Sequence, residues 1–397
     1  MKDRIAIVTG GLGFGGSTSF VLQLASGLQE IHVPSAVFSF MRKNEFAGEF
    51  EAKGIPVHTT DEERLIFEDR LAFLCKKIAE FAPTAVLANI GAESYELLRY
   101  VPQGVARIGI VHDLATRPQL TVRLYHDVLD GVAAVNPHLA SMVHAESPQT
   151  ACRYVTHGIP LVSGSRPRDP NPDRPLKLIF FGRLEPGKGT RVFPLILREL
   201  QKRNIPFQWT IHGQGSDESY LRETLKKEIE AGQVVMSSQV PREKLFAIVR
   251  QHDVFIMASD IEGGPLTLLE AMSAGLVPVC NNIPSLAQEV VKPENGFLIP
   301  RDPARYAECL AILHQDRALL EKMSAAAKEI ITANFTLEAM ARRYLDFIHS
   351  LTLPENAKPW PRHMDPKPIR TSTGVAKIAQ SVKMVRHARR VLKRIRS

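Results

Sequence analysis

Residues 254–280 read VFIMASDIEGGPLTLLEAMSAGLVPVC, and this stretch contains one complete strand–helix–strand pattern. Apolar runs at 254–257 and 277–280 flank a polar loop with two glycines and a segment whose apolar residues have helical spacing. Strands joined through a helix in this way lie parallel in one sheet. The stretch therefore predicts an open α/β fold with functional residues in the loop between strand and helix.

The same alternation of strands and helices fills both halves of the chain. We predict strands at 4–8, 35–40, 55–59, 85–90, 107–111, 131–135 and 152–155, and then at 177–181, 207–211, 234–236, 254–257 and 277–280. Residues 163–175, rich in proline and charge, are typical of a linker. The fold class is therefore α/β, with two doubly wound, Rossmann-like domains that are expected to face each other across a cleft.

The predicted domain limits follow from this pattern. The first domain covers residues 1–163, the linker 164–175 and the second domain 176–353, whose last helix, about 336–353, has the option of packing back on the first domain. Residues 354–397 form a basic tail.

The positive charge of the chain is concentrated in this tail. The formal net charge is +8, but residues 355–397 alone carry +10, so residues 1–354 carry −2. The globular part is thus near neutral, and no nucleic-acid partner is expected. Within 375–397, apolar residues recur every three or four positions among Lys and Arg, which predicts a basic amphipathic helix. An anionic membrane surface is the favoured partner, with a partner helix, nucleic acid or a solvated tail as alternatives.

The spacing of the four cysteines and the apolar run near residue 5 indicate whether the chain binds a metal, forms disulfides or enters a membrane. Cys75, Cys152, Cys280 and Cys309 are widely spaced and form no C-x-x-C pattern, which argues against a metal site or a disulfide framework. The apolar run at 5–8 breaks into glycines, so we predict neither a signal peptide nor a spanning helix. A cytoplasmic protein is expected, peripheral on the inner face of the plasma membrane if the tail docks there.

The glycines at the start of the chain raise the alternative of a dinucleotide-binding enzyme. Residues 11–16 contain G-x-G-x-x-G after the first strand. A dinucleotide site would also need an acidic residue after the second strand, where Arg42 and Lys43 stand instead. The catalytic Tyr-x-x-x-Lys of short-chain dehydrogenases is absent from the sequence. An NAD(P)-dependent oxidoreductase is therefore the less favoured interpretation, and an anion-binding loop or a tight turn are the others.

The second half carries the more specific chemistry. Arg183 and Lys188 stand five residues apart in a loop after a strand, a combination suited to a diphosphate. Glu262 lies in a loop, where a carboxylate can accept hydrogen bonds from sugar hydroxyls, whereas Glu270 lies on the following helix and can bind a ribose diol. N–H groups at that helix start can bind phosphate.

These motifs together resemble the family 4 retaining glycosyltransferases, which have the two-domain GT-B fold. The likeness runs from residue 4 to about 353. It rests on the glycine pair Gly15 and Gly16 and on the segments FGRLEPGKG (181–189), IHGQG (211–215), EGGPLTLLEAMSAGLVPV (262–279, an E-x7-E element), NGFLIP (295–300) and FTLEAMARRYLDFI (335–348).

The resemblance implies roles for individual residues. Arg183 and Lys188 would hold the donor diphosphate, Glu270 the ribose and Glu262 the hydroxyls of the transferred sugar, which His112 would face from the first domain. The implied donor-binding set is Gly15, Gly16, Arg183, Lys188, Gly213, Gln239, Glu262, Gly263, Gly264, Leu266, Thr267 and Glu270, and the implied catalytic set is Glu262, His112, Lys188 and Arg183.

Two features depart from the family pattern. Pro265 lacks the backbone N–H that another residue would offer at the helix start. Ser238 replaces an expected glycine, and Gln239 lies beside the expected nucleobase contact. The sequence therefore does not determine whether the donor is a UDP-sugar or a GDP-sugar.

The resemblance implies a reaction without a cofactor or a metal. A sugar would pass, with retention of configuration, from a nucleoside diphosphate sugar to a glycan, lipid-linked or cell-envelope acceptor. The alternatives are a sugar-nucleotide epimerase of similar fold and a scaffold that binds nucleotide sugars without catalysis.

Overall fold

The computed structural model describes residues 2–13, 15–41, 46–60, 67–112, 118–161, 171, 173–238, 242–354 and 360. They form two compact units. Unit 1 combines residues up to Val155 with the segment that begins at Leu337, and unit 2 covers Thr156–Thr336. The amphipathic helix predicted at 375–397 lies outside the described residues.

Unit 1 is built on a parallel sheet of seven strands. The strands are β1 (Ile5–Thr9), β2 (Ser35–Ser39), β3 (Val57–Thr59), β4 (Ala85–Ala88), β5 (Ala106–Val111), β6 (Gly131–Ala134) and β7 (Ala151–Tyr154). Their order in the sheet is β3-β2-β1-β4-β5-β6-β7. The order reverses between β1 and β4, which is where doubly wound sheets bind ligands.

The helices of unit 1 are α1 (Gly16–Glu30), α2 (Ala47–Ala52), α3 (Phe67–Phe81), α4 (Ala92–Leu98), α5 (Pro118–Tyr125) and α6 (Pro137–Glu146). The chain order continues in unit 2 with α7 (Phe193–Lys202), α8 (Glu218–Thr224), α9 (Lys226–Glu230), α10 (Arg242–Val249), α11 (Leu266–Ser273), α12 (Ala287–Val290), α13 (Pro303–Gln315) and α14 (Arg317–Asn334). The last described helix, α15 (Leu337–His349), belongs to unit 1.

Unit 2 repeats the architecture with a parallel sheet of six strands. They are β8 (Leu176–Phe181), β9 (Phe207–His212), β10 (Val234–Ser237), β11 (Val254–Met257), β12 (Val277–Asn281) and β13 (Phe297–Ile299), in the order β10-β9-β8-β11-β12-β13. The reversal here lies between β8 and β11. A core that includes Phe180, Phe193 and Trp209 fills one side of this sheet, with Phe193 and Trp209 ring centroids 5.1 Å apart.

The chain passes from unit 1 to unit 2 before the linker that the sequence indicates. The boundary lies between Val155 and Thr156, ahead of 164–175, because Ile159 is already tied to unit 2. Its N–H donates to Phe335 O at 2.8 Å, and it forms a parallel bridge with Thr336.

Helix α15 packs on α1 and completes unit 1. Gly27 of α1 lies so close to the backbone of Leu337 that a side chain at Gly27 would collide with it. Tyr344 packs near Phe20 of α1, with ring centroids 6.2 Å apart. The amino-terminal residues of the chain and its last described helix therefore share one core.

Candidate functional site

The loops after β8 and β11 meet at the reversal point of the unit 2 sheet. Gly189 has a left-handed φ of 70°, and a side chain there would collide with the backbone carbonyl of Ala258. Two residues before Gly189 and two residues after Ala258, the loops meet again, because the Asp260 N–H donates to Gly187 O at 3.0 Å. The turn that carries Lys188 is thus fastened to the loop that carries Glu262.

Lys188 and Glu262 form an ion pair at this junction. Lys188 Nζ lies 2.7 Å from Glu262 Oε1, and the Ser259 hydroxyl donates to the same oxygen at 2.7 Å. Glu262 is 9% exposed, while the Lys188 side chain is 26% exposed. A largely buried carboxylate with two donors is fixed in orientation, and its cationic partner still reaches solvent. The arrangement can present one charge of each sign to a ligand.

The exit from β11 is held by two buried polar residues that the sequence analysis missed. Asn281, at the end of β12, donates through Nδ2 to Ala258 O at 3.2 Å and Ser259 O at 3.1 Å. The Tyr306 hydroxyl lies 2.9 Å from Asn281 Oδ1 and 3.0 Å from Met257 O. Together they set the path of the backbone toward Ser259 and Glu262. Only the pairing of β11 with β12 reveals this role.

The Cys280 thiol is close enough to the Glu262 carboxylate to be affected by its charge. Burial raises the pKa of the Cys280 thiol, and the negative charge of Glu262 raises it further. Cys280 therefore stays a neutral thiol beside the ion pair.

The helix start lies just beyond Glu262. Helix α11 begins at Leu266, after Pro265, and the Gly263 carbonyl accepts a hydrogen bond from the Leu286 N–H at 2.9 Å. Thr267 is half-buried, as is Gly264, whereas Glu270 is buried on the helix. The first N–H groups of an α-helix have no acceptor within the helix, so this end offers donors to an anion.

Arg183 pairs with a different carboxylate, that of Glu185. Its side chain is 61% exposed, and Nη1 lies 3.0 Å from Glu185 Oε2. An exposed pair of this kind contributes little to stability. Arg183 is thus near the site in sequence but engaged by Glu185.

The loop after β9 approaches the loop after β8. A side chain on Gly213 would collide with the carbonyl of Gly182, and the Gly213 N–H donates to Ser237 O at 3.0 Å. His212 is buried, with Nδ1 2.7 Å from Ser237 Oγ, and burial lowers the pKa of its imidazole. The predicted nucleobase neighbour Gln239 lies outside the described residues.

Unit 1 brings Gly15, Gly16 and His112 to its own reversal point. The space beside Gly15 and Gly16 is open, since a side chain at either would meet no atom within 4 Å. His112 follows β5, and its Nε2 lies 2.6 Å from Oδ1 of Asn89, which follows β4. Asn89 was not among the predicted residues. Phe14, Arg42 and Lys43 lie outside the described residues.

Within the described ranges, no group of three or more His, Cys, Asp and Glu side chains is arranged to hold a metal ion.

Replacing Gly189 by alanine should lower the free energy of unfolding by about 2 kcal/mol or more, because the left-handed backbone and the Ala258 carbonyl both oppose a Cβ. Gly187→Ala is the matched control, since a side chain at Gly187 meets open space in the same turn. Urea unfolding of both variants measures the difference. Equal stabilities would contradict the close approach of the two loops.

Comparisons with known proteins relate this site to a family. Residues 165–330 match the family model described as Glycosyl transferases group 1. The chain is similar to WcaL of Escherichia coli K12, a protein assigned to colanic acid biosynthesis as a glycosyltransferase, with 31% identity over 190 residues, which are 45% of this chain and 46% of WcaL. It is also similar to the GDP-mannose:cellobiosyl-diphosphopolyprenol alpha-mannosyltransferase of Xanthomonas oryzae pv. oryzae, with 28% identity over 178 residues, which are 43% of this chain and 46% of that enzyme. The chain thus spans about half the length of these curated relatives.

Solved structures extend the likeness of fold over both units. A variant of S. aureus TarM, solved with fondaparinux, alpha-GlcNAc-glycerol and UDP, has a TM-score of 0.73 at 11% identity and covers 88% of this chain and 100% of its own. Anabaena HepE with UDP-glucose has a TM-score of 0.71 at 16% identity, with the same coverage. The predicted fold class of two Rossmann-like domains is confirmed. The chain thus has the GT-B fold, and its residues 165–330 match the model of the glycosyl transferases group 1 family.

Proposed function

We propose that this chain is a retaining glycosyltransferase that moves a sugar from a UDP- or GDP-sugar to a glycan, lipid-linked or cell-envelope acceptor. The observation that carries the proposal is the Lys188–Glu262 pair beside the start of α11, at the reversal point of the unit 2 sheet. Two relatives support the class of substrate. The Xanthomonas enzyme is named for GDP-mannose and a diphosphopolyprenol acceptor, and HepE was solved with UDP-glucose.

In this proposal unit 2 binds the donor. The Lys188 ammonium and the amides that open α11 compensate the charge of the leaving diphosphate, so no metal is required. Arg183 adds a second cation when it leaves Glu185, and breaking that exposed pair costs little. We assign Glu270 to the ribose hydroxyls.

Glu262 orients the transferred sugar. Ser259 and Lys188 both donate to Oε1, and we assign Oε2 to the sugar hydroxyls. Because the carboxylate is held in place before the donor arrives, little reorganisation is needed in the transition state.

The reaction we propose breaks the bond between the anomeric carbon and the diphosphate oxygen and forms a bond from that carbon to the acceptor oxygen on the same face. The acceptor hydroxyl proton passes to the leaving diphosphate. The transition state resembles an oxocarbenium ion. We assign His112 of unit 1 to a contact with the transferred sugar. Trapping of a covalent glycosyl-enzyme adduct would contradict this same-face mechanism.

The test begins with ligand binding by the full chain. Thermal unfolding with UDP, GDP, ADP and NAD(H) identifies the nucleotide, because a ligand that binds only the folded state raises the melting temperature. The matching UDP- or GDP-sugars are then incubated with saccharide and lipid-linked acceptors, and products are separated by chromatography. Glycoside formation supports the proposal. Epimerisation of the nucleotide sugar alone, or stabilisation by NAD(H) with a change in nicotinamide absorbance, would overturn it.

We also propose that residues 375–397 bind an anionic membrane surface, which suits a lipid-linked acceptor. Over the described part of the chain, no helix combines the length and apolar character needed to cross a bilayer. The support is the basic amphipathic pattern.

A chain that ends at Pro354 should lose flotation with anionic liposomes, whereas the full chain should float with them, less so as salt increases. Neutral liposomes serve as the control. Equal flotation of both chains would show that the tail does not carry membrane binding.

A further inference from the structure

Asn89 lies directly against His112 in unit 1. The two residues follow the neighbouring strands β4 and β5, which pair in register from Ala85 and Ala106. Asn89 is 1% exposed, and its backbone N–H donates to Val8 O at 2.8 Å. Its Oδ1 lies 2.6 Å from His112 Nε2. The side chain amide is therefore anchored at the reversal point of the sheet, beside the histidine to which the proposed function gives a role.

The surroundings of Asn89 determine which way its amide faces. On the side away from His112, Nδ2 lies 3.5 Å from Ser17 O and 3.4 Å from Thr9 Oγ1. A backbone carbonyl only accepts, and the Thr9 hydroxyl proton is directed to Gly11 O at 3.2 Å. Both atoms thus need a donor from Asn89, which places the NH₂ group on that side and the carbonyl oxygen on the side of His112.

The orientation of the amide fixes the tautomer of the histidine. An amide oxygen cannot donate, so the 2.6 Å contact requires a proton on His112 Nε2. In the neutral imidazole, Nδ1 is then the nitrogen without a proton. Phe20 packs edge-on against the ring, with centroids 4.8 Å apart and planes at 73°, and limits its rotation.

We propose that Asn89 is a positioning residue that holds His112 as the Nε2–H tautomer and fixes the plane of its ring. The consequence for catalysis rests on the proposed function, in which His112 acts on the transferred sugar. The tautomer itself does not depend on that function. Asn89 sets which nitrogen of the histidine carries the proton and leaves donor binding to unit 2.

The first test is NMR of the full chain with ¹⁵N-labelled histidine rings, with the His112 signals assigned by their loss in His112→Gln. Above neutral pH, His112 should show a protonated Nε2 and an unprotonated Nδ1. Asn89→Asp keeps an acceptor beside Nε2 and should keep this tautomer. Asn89→Leu removes the acceptor and should give a mixture of tautomers. Wild-type His112 with its proton on Nδ1 would overturn the proposal without any assay of activity.

Kinetics provides the second readout. Asn89→Leu should lower kcat by about 10- to 100-fold with little change in the KM for the donor, and Asn89→Asp should recover part of that loss. Asn295→Leu is the matched control, since Asn295 is an equally buried asparagine in unit 2 that bonds Val290 O and the Lys292 N–H. It should leave the His112 signals unchanged. An unaltered kcat in Asn89→Leu would contradict the positioning role. If the wild-type chain transferred no sugar although NMR showed the Nε2–H tautomer, that result would count against the proposed function alone.

Discussion

Replacing Glu262 by glutamine is expected to reduce kcat/KM for sugar transfer by about 10²- to 10³-fold while the chain stays folded. Glutamine has the same shape and can still accept from Ser259, but it lacks the charge that pairs with Lys188 at 2.7 Å. The cost in stability should be about 1–2 kcal/mol, because the Lys188 side chain is 26% exposed and water replaces part of the lost partner. Product chromatography and urea unfolding give the two quantities.

Glu199→Gln is the control for this substitution. Glu199 also forms an ion pair with a lysine, Lys202, at 2.6 Å on α7, but the side chain of that lysine is 70% exposed. The change should alter stability by less than about 0.5 kcal/mol and leave transfer unchanged. Transfer at the wild-type rate by the Glu262 variant would remove that residue from the proposed site.

Replacing Lys188 by methionine is expected to weaken binding of the nucleoside diphosphate by about 10²-fold and to lower kcat/KM by at least as much. The reason is that Lys188 bonds Glu262, four residues before the start of α11, whereas Arg183 is engaged by Glu185. Methionine keeps most of the apolar stem and removes only the charge. Calorimetry with UDP and GDP measures the binding.

A double-mutant cycle tests whether the two residues act as a unit. The loss of transition-state stabilisation, measured from kcat/KM, should be much smaller in the combined Lys188→Met and Glu262→Gln variant than the sum of the losses in the two single variants. The reason is that each single change already breaks the pair. The corresponding cycle of Lys202→Met with Glu199→Gln should be additive within about 0.5 kcal/mol. Additivity in both cycles would mean that Lys188 and Glu262 work independently.

The alternation of apolar runs with helical segments predicts this fold well because a parallel strand is buried on both faces. β11 and β12 are nearly continuous apolar stretches in the sequence, and the structure places them at 254–257 and 277–281. β13 was not predicted, since its three residues between Gly296 and Pro300 are too short for a periodic signal. The parallel pairing of each sheet follows from the strand–helix–strand order.

The site is only partly contained in linear motifs. Lys188 and Glu262 stand in recognisable segments, but their contact depends on the close approach of Gly189 to Ala258, which no spacing reveals. Asn89, Asn281 and Tyr306 act across neighbouring strands or helices, so their distance in sequence from the residues they support is arbitrary. Arg183 shows the opposite case, in which a local carboxylate, Glu185, decides where a motif residue points.

The return of α15 to unit 1 governs the order in which the chain can fold as it is synthesised. Unit 2 is continuous from Thr156 to Thr336, so the ribosome delivers it whole. The face of α1 around Gly27, by contrast, has no cover until Leu337–His349 emerges. We therefore expect the later unit to reach its final structure first, and the earlier one to wait for its closing helix with apolar surface accessible to chaperones.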